Sequence, residues 1–254
     1  ADFGYVSRTI AVDADGGRMQ LIRQATGAGA PLGVSLFGGA VIDWNPGEDG
    51  HVLMMRDYVP EQTTGTRLAQ TEEGLGVDDI DTATLKARRI ERPRANATEY
   101  ISDGSGTVRI MGIRGKTNEG YDKNKTDYSY RRAGSREWEA FSQVGPDLNG
   151  CDPHAVDAKF DVAYCLRREN GRVAAYSVAL DGTLKANLLF QHPSVDVDGF
   201  VRIGRTGRII GASYATDKRE AVYFAPAIAK LAQSLSKALP KLPLIRFVDA
   251  SQDE

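Results

Sequence analysis

Two serines sit in strings that approach the nucleophile elbow of a serine hydrolase. That elbow reads Gly-x-Ser-x-Gly, because only small residues tolerate its strained strand-to-helix turn. Gly211-Ala-Ser213-Tyr-Ala215 has the first glycine and the serine but ends in alanine. Thr216-Asp-Lys-Arg-Glu220 follows it as a hairpin turn, and no histidine lies downstream. The chain order Ser, Asp, His therefore cannot be completed. Gly33-Val-Ser35-Leu-Phe-Gly38-Gly39 has one residue too many before its glycine pair, and no strand precedes it. Neither serine is expected to be a nucleophile.

The remaining reactive residue types read in the same way. His51 begins a strand, His192 precedes Pro193 in a turn, and His154 follows Pro153 in a loop beside Asp152. All three are expected as surface or turn residues rather than general bases. Asp13-Ala-Asp15-Gly16 and Asp196-Val-Asp198-Gly199 each place two carboxylates before a glycine. A calcium loop needs about six or more oxygen ligands at set spacing, so both are read as hairpin turns, where Asp and Gly supply the geometry. Lys86, Arg88, Arg89, Arg92 and Arg94 form a basic run that a strand would split across its two faces, which suits a solvated edge. Tyr121, Tyr128, Tyr130 and Trp138 could line a pocket, but core packing is the expectation. Cys151 and Cys165 are either two free thiols or, in an exported protein, a disulfide meeting across a hairpin. With no Cys-x-x-Cys and no Cys/His cluster, a zinc site is not expected. These residues predict no catalytic group, no cofactor and no metal, and they assign no substrate-binding residue.

The elements that position these residues are short β-branched and aromatic runs. They are cut at intervals of about ten residues by Asp-Gly or Thr-Gly pairs, the mark of antiparallel hairpins. Strands are predicted over 5–12, 18–23, 40–44, 51–56, 76–80 and 85–90, then 98–101, 107–113, 127–131 and 138–141. A third group begins near Ala155 and uses 161–166, 173–180 and 188–190. A fourth starts at Gly199 and uses 209–214 and 221–224. Groups of about four strands repeating every 45–60 residues or so predict an all-β chain, a β-propeller or incomplete propeller of four-stranded antiparallel blades. A sandwich or barrel remains open. One helix is predicted over 226–239, with Ile228, Leu231, Ala232, Leu235 and Leu239 as its apolar stripe, Pro226 in its first turn and Pro240 as its stop.

A resemblance rests on particular strings. Leu189-Phe-Gln-His-Pro-Ser-Val-Asp-Val-Asp-Gly199 is the first, and Ile210-Gly-Ala-Ser-Tyr-Ala-Thr-Asp-Lys-Arg219 is the second. Tyr223-Phe224, the helix ending in Leu239-Pro240, and Val248-Asp-Ala-Ser-Gln-Asp253 complete the set. Together they resemble the N-terminal β-propeller of prolyl oligopeptidase-family peptidases, specifically bacterial dipeptidyl-aminopeptidase or acylaminoacyl-peptidase-like members. The resemblance is clearest over 155–254. It implies a non-catalytic propeller that limits the access of short peptides to a separate C-terminal α/β-hydrolase domain, which carries the catalytic Ser, Asp and His. It also implies a periplasmic or secreted location. The alternative is a free-standing propeller that binds a ligand or protein; a propeller hydrolase using axial carboxylates is a third reading.

Bulk properties narrow the classes. The 254 residues are 41% hydrophobic and 26% charged, with net charge −2. That fits a globular domain with a sizeable core and gives no basic face for nucleic acid. No apolar run approaches the roughly 18 residues of a membrane helix. The N-terminal Ala1-Asp-Phe-Gly-Tyr-Val6 lacks the basic and apolar regions of a signal peptide. Residues 5–12 are already strand-like and Ala250-Ser-Gln-Asp-Glu254 is a turn signal. Because a closed sheet needs its edges paired, residues 1–254 are read as one propeller domain within a longer chain. Its expected partners are peptide substrate, the hydrolase domain and, through open edges, further copies of itself.

Overall fold

The computed structural model describes residues 7–22, 31–33, 35–44, 50–62, 69–117, 121, 123–241 and 243–247. The strand start at Tyr5, the turn over 45–49, residues 63–68 of the polar excursion over 61–74 and the turn at 250–254 lie outside the described residues.

The chain builds antiparallel sheets from strands that pair with their sequence neighbours. A hairpin of β1 (Ile10–Val12) and β2 (Met19–Leu21) comes first. The first sheet orders β3 (Ala40–Asp43), β4 (His51–Tyr58), β5 (Gly74–Asp81) and β6 (Ala87–Arg94). The second orders β7 (Ala97–Ser102), β8 (Val108–Ile113), β9 (Thr126–Tyr130) and β10 (Glu139–Val144). The third orders β11 (Asp152–Asp157), β12 (Val162–Glu169), β13 (Arg172–Ala179) and β14 (Ala186–Phe190). The fourth sheet has three strands, β15 (Val197–Ile203), β16 (Arg208–Ala215) and β17 (Arg219–Tyr223), and the helix α1 (Pro226–Ala238) follows. Among the described residues the all-β reading, the four-stranded antiparallel sheets and one helix are thus present; the fourth sheet there departs by one strand.

Turn chemistry sets the registers. Asn170-Gly171 joins β12 to β13, with Glu169 opposite Arg172 and both turn residues at positive φ. That is the two-residue hairpin that Asn-Gly favours. A second turn occurs twice. Between β5 and β6, Asp81 accepts hydrogen bonds from the Ala83 and Thr84 amides and from the Thr84 hydroxyl, and Leu85 sits at φ 57°. Between β13 and β14, Asp181 accepts from the Thr183 amide and hydroxyl, and Leu184 sits at φ 51°. Both turns read Thr-Leu-Lys after the aspartate, at the same place in their sheets.

Each sheet lays its first strand on the sheet before it: β7 lies against β3 and β5, β11 against β7, β8 and β10, and β15 against β13. The seams are apolar in the middle. Leu53 and Val77 of the first sheet pack on Tyr100, Val108 and Met111 of the second. Ile110, Tyr128 and Tyr130 pack on Val156, Ala163 and Leu180 of the third, and Leu166, Val173 and Ala175 on Val197 and Ala212 of the fourth. Polar bonds stitch the same seams. The Ser102 hydroxyl donates to the Ile42 carbonyl at 2.8 Å, and the Gly106 amide to Asp43 at 2.8 Å. Arg131 pairs with Glu91 while its guanidinium lies 3.9 Å from the Trp138 ring centre. Arg109, buried at 2% exposure, reaches Asp161 of the third sheet at 2.6 Å. The Val173 amide donates to Asp196 at 2.9 Å.

The two cysteines are joined. Cys151 and Cys165 form a disulfide with Cα atoms 5.5 Å apart, linking the approach to β11 with the middle of β12. Cys165 is buried beside Ala174, Tyr176 and Val178. Helix α1 docks on the fourth sheet through Ile228, Ala229 and Ala232. The rest of its expected stripe turns outward: Leu231, Leu235 and Leu239 are 50%, 40% and 47% exposed.

Two glycines separate conformational from steric demand. Nothing lies within 4 Å of a Cβ built on Gly171, at φ 80°, so Gly171→Ala is expected to lower stability by about 1 kcal/mol through φ alone. A Cβ on Gly211 would strike the Val222 carbonyl of β17, so Gly211→Ala is expected to cost more, about 3 kcal/mol. Urea unfolding measures both, and equal losses would contradict the assignment. Reducing the disulfide, which closes a 14-residue separation, is expected to remove about 3 kcal/mol, seen as a lower unfolding midpoint with dithiothreitol.

Candidate functional site

Titratable side chains from two sheets meet at the seam between the second and third. Glu99 comes from β7, Tyr128 from β9, and Asp152 and His154 from β11. Asp152 and His154 lie two positions apart on β11, and their side chains meet. A register shift between Pro153 and Ala155 places a bulge at His154, and bulges re-aim side chains. Pro153 is tolerated because β11 is an edge strand.

The Tyr128 hydroxyl donates to Glu99 Oε1 at 2.6 Å and lies 3.2 Å from Asp152 Oδ1. A phenol has one proton to give, and the nearer acid takes it. Asp152 has a second partner in His154, whose Nε2 lies 3.4 Å from Asp152 Oδ2 as an ion-pair contact. The His154 ring rests 5.7 Å from that of Phe200 on β15, so the fourth sheet joins the edge of the group. Burial pushes the Glu99 carboxyl above the usual range; the Tyr128 bond opposes this, the Asp152 charge adds to it, and His154 and Arg114 oppose it. Burial, and then the bond to Glu99, raises the Tyr128 hydroxyl. The arrangement sets one phenol between two carboxylates, with an imidazole in contact with the second. Among the described residues, no group of three or more His, Cys, Asp and Glu is set to hold a metal ion.

The residues singled out in the sequence fall elsewhere, apart from Tyr128, His154 and Asp152. Ser213 lies within continuous β16, opposite Gly199 and Ala221, and not at a strand-to-helix turn. Its hydroxyl donates to Asp198 at 2.6 Å, and Asp198 also holds Arg219 at 2.8 Å. Gly211 is small because β17 passes too close for a side chain. Ser35 donates to the Phe37 carbonyl at 2.9 Å and lines a pocket of about 400 Å³ with Arg8, Gly38, Gly39 and Arg56. His51 Nδ1 lies 2.9 Å from buried Asp79, which also binds Arg88 at 2.6 Å. His192 accepts the Ser194 and Val195 amides on Nδ1, each at 3.2 Å, and stacks on Tyr214; it is the turn residue expected.

Asp13 and Asp15 close the β1–β2 hairpin as expected, accepting the Arg18 and Gly17 amides. The turn expected at Asp196–Gly199 is corrected. Asp198 and Gly199 belong to β15, and Asp196 just before it bonds the third sheet. His154 likewise sits in a strand and not a loop. Arg88, Arg89, Arg92 and Arg94 of the basic run lie in β6, an edge strand, and Lys86 just before it, with Arg89 over the Tyr58 ring at 4.8 Å. Tyr128 and Tyr130 are core, while Tyr121 is 75% exposed. Glu99 was not singled out; its neighbour Tyr100 and the apolar run after it signal only a strand.

No protein-family model matches the chain, and no curated protein matches it either.

The raised Glu99 carboxyl has a stability consequence. The folded state holds that proton more tightly than the unfolded chain, so the associated stability is present in acid and is lost as pH rises through the folded pKa. Glu99→Gln keeps an acceptor for Tyr128 and cannot ionise. Its melting temperature relative to wild type is expected to rise from about pH 4 to about pH 7, read by differential scanning fluorimetry. A constant offset would show that Glu99 is not pushed up.

Proposed function

We propose that this chain is the non-catalytic β-propeller portion of a prolyl oligopeptidase-family serine peptidase, limiting the access of peptides to a separate α/β-hydrolase domain. The succession of sheets carries the reading. Four antiparallel sheets follow in chain order, three of them four-stranded meanders, and the second, third and fourth each rest their first strand on their predecessor. Blades of a propeller stack in this manner. The Asp-to-Thr-Leu-Lys turn repeated in the first and third sheets supports a repeating unit. The resemblance over 155–254 supplies the peptidase.

In this reading the first strands of the sheets line the axis. Glu99, Asp152 and His154 then belong to the wall of the passage that a peptide would take. The Cys151–Cys165 disulfide supports an oxidising compartment, periplasmic or extracellular.

The test is chemical. The 254-residue chain is expected neither to hydrolyse aminoacyl or peptidyl chromogenic substrates nor to be labelled by a fluorophosphonate. The chain expressed with the residues its gene encodes after Glu254 is expected to do both. Labelling of the shorter chain that disappears on Ser213→Ala or Ser35→Ala would overturn the reading. A longer chain that stays inert would favour the free-standing binding module instead.

A further inference from the structure

Residues 243–247 follow α1 and belong to none of the sheets. Their burial nevertheless alternates: Pro243, Ile245 and Phe247 are half-buried, while Leu244 and Arg246 are exposed. That is the period of a strand with one covered face. Ile245 and Phe247 pack on Val201, Ile203, Ile210 and Tyr223, the face of the fourth sheet that the third does not cover. The Tyr223 hydroxyl donates to the Ile245 carbonyl at 2.6 Å, and its ring meets Phe247 edge-on at 5.3 Å.

Each earlier sheet stands in this relation to the first strand of the next. On the first seam, Tyr100 of β7 donates its hydroxyl to the Leu75 carbonyl of β5. On the second, the Tyr128 hydroxyl approaches Asp152 of β11. On the third, Val173 of β13 donates to Asp196 beside β15. Tyr223 and Ile245 supply a polar link on a fourth seam, tyrosine hydroxyl to backbone carbonyl as on the first, here with the donor on the earlier sheet. The fourth sheet also hands over differently: in chain order α1 follows β17, where the other sheets have a fourth strand, and it packs on the same face as Ile245 and Phe247. Residues 243–247 pair with no strand among the described residues. A strand edge of that kind presents backbone donors and acceptors ready for another chain segment.

We propose that residues 243–247 are the opening strand of a fifth antiparallel sheet, and that their open edge is the docking surface for the next strand of the same polypeptide. The inference rests on the reading above that the chain belongs to a longer propeller. Continuity selects the occupant: three seams are built by consecutive sheets of one chain, and the fourth repeats their construction. The incoming strand is expected to set an apolar side chain beside Leu244 and an acid within reach of Arg246, since directly opposed side chains stabilise antiparallel pairs.

Hydrogen exchange read by mass spectrometry tests this on the 254-residue chain and on the chain carrying the residues encoded after Glu254. The amides of 244–247 are expected to exchange at least about tenfold more slowly in the longer chain, at every protein concentration. Unchanged exchange overturns the proposal, as does a reading frame that stops at Glu254. Slow exchange already present in the shorter chain and lost on dilution assigns the edge to a second copy, and overturns it too. Leu244→Asp gives an independent readout. It is expected to leave the shorter chain's melting temperature within about 2 °C and to lower the longer chain's by about 4 °C or more; equal shifts count against the proposal. A longer chain that gains protection but takes no fluorophosphonate would retire the peptidase reading and leave the fifth sheet standing.

Discussion

An antiparallel sheet with two apolar faces must cover both, and that need governs this molecule. The second and third sheets meet it by lying between neighbours, with apolar side chains interleaved at each seam. Burying Arg109 at one of these seams is compensated by Asp161, which reaches across from the next sheet, by Asp103 and by the Arg131 carbonyl, which accepts from its Nε. Removing one partner of such a pair leaves a charge without compensation, and this costs more than the pair contributes. The polar stitches therefore act chiefly as alignment: they fix how one sheet sits on the next, while apolar area supplies the attraction.

The candidate site is a by-product of that alignment. Glu99 and Asp152 are brought to one phenol because their strands open adjacent sheets. The disulfide begins one residue before Asp152, and the Cys151 amide donates to Ser142 of the second sheet at 2.8 Å. The acid is thus held from both directions.

Local signals were legible in the sequence and distant ones were not. Strand spacing and turn pairs located nearly every described strand, and the Pro226 and Pro240 boundaries located α1. Pro153 suggested a loop where the structure has an edge strand, because proline forbids pairing on only one side. Asp196 and Asp198 resembled a turn, yet one bonds the preceding sheet and the other a serine and an arginine on its own sheet. The meeting of Glu99, Tyr128 and Asp152 spans up to 53 positions of chain, and no periodicity encodes it. The helix stripe was correct as a period but only half correct as a buried face, since the sheet beneath takes Ile228 and Ala232 and leaves three leucines outside.

Every named strand pairs only with strands next to it in sequence. Sheets of this kind need no segment to wait for a distant mate, so the order of assembly can follow the order of delivery. A chain fed end first, from a ribosome or through a pore, can complete one sheet and then lay the next upon it. The sulfur pair joins consecutive strands of a single sheet, so it can be oxidised before the fourth sheet exists. The unfinished particle would always expose one fresh apolar face, the one about to receive the next strand, and growth would be directional for that reason.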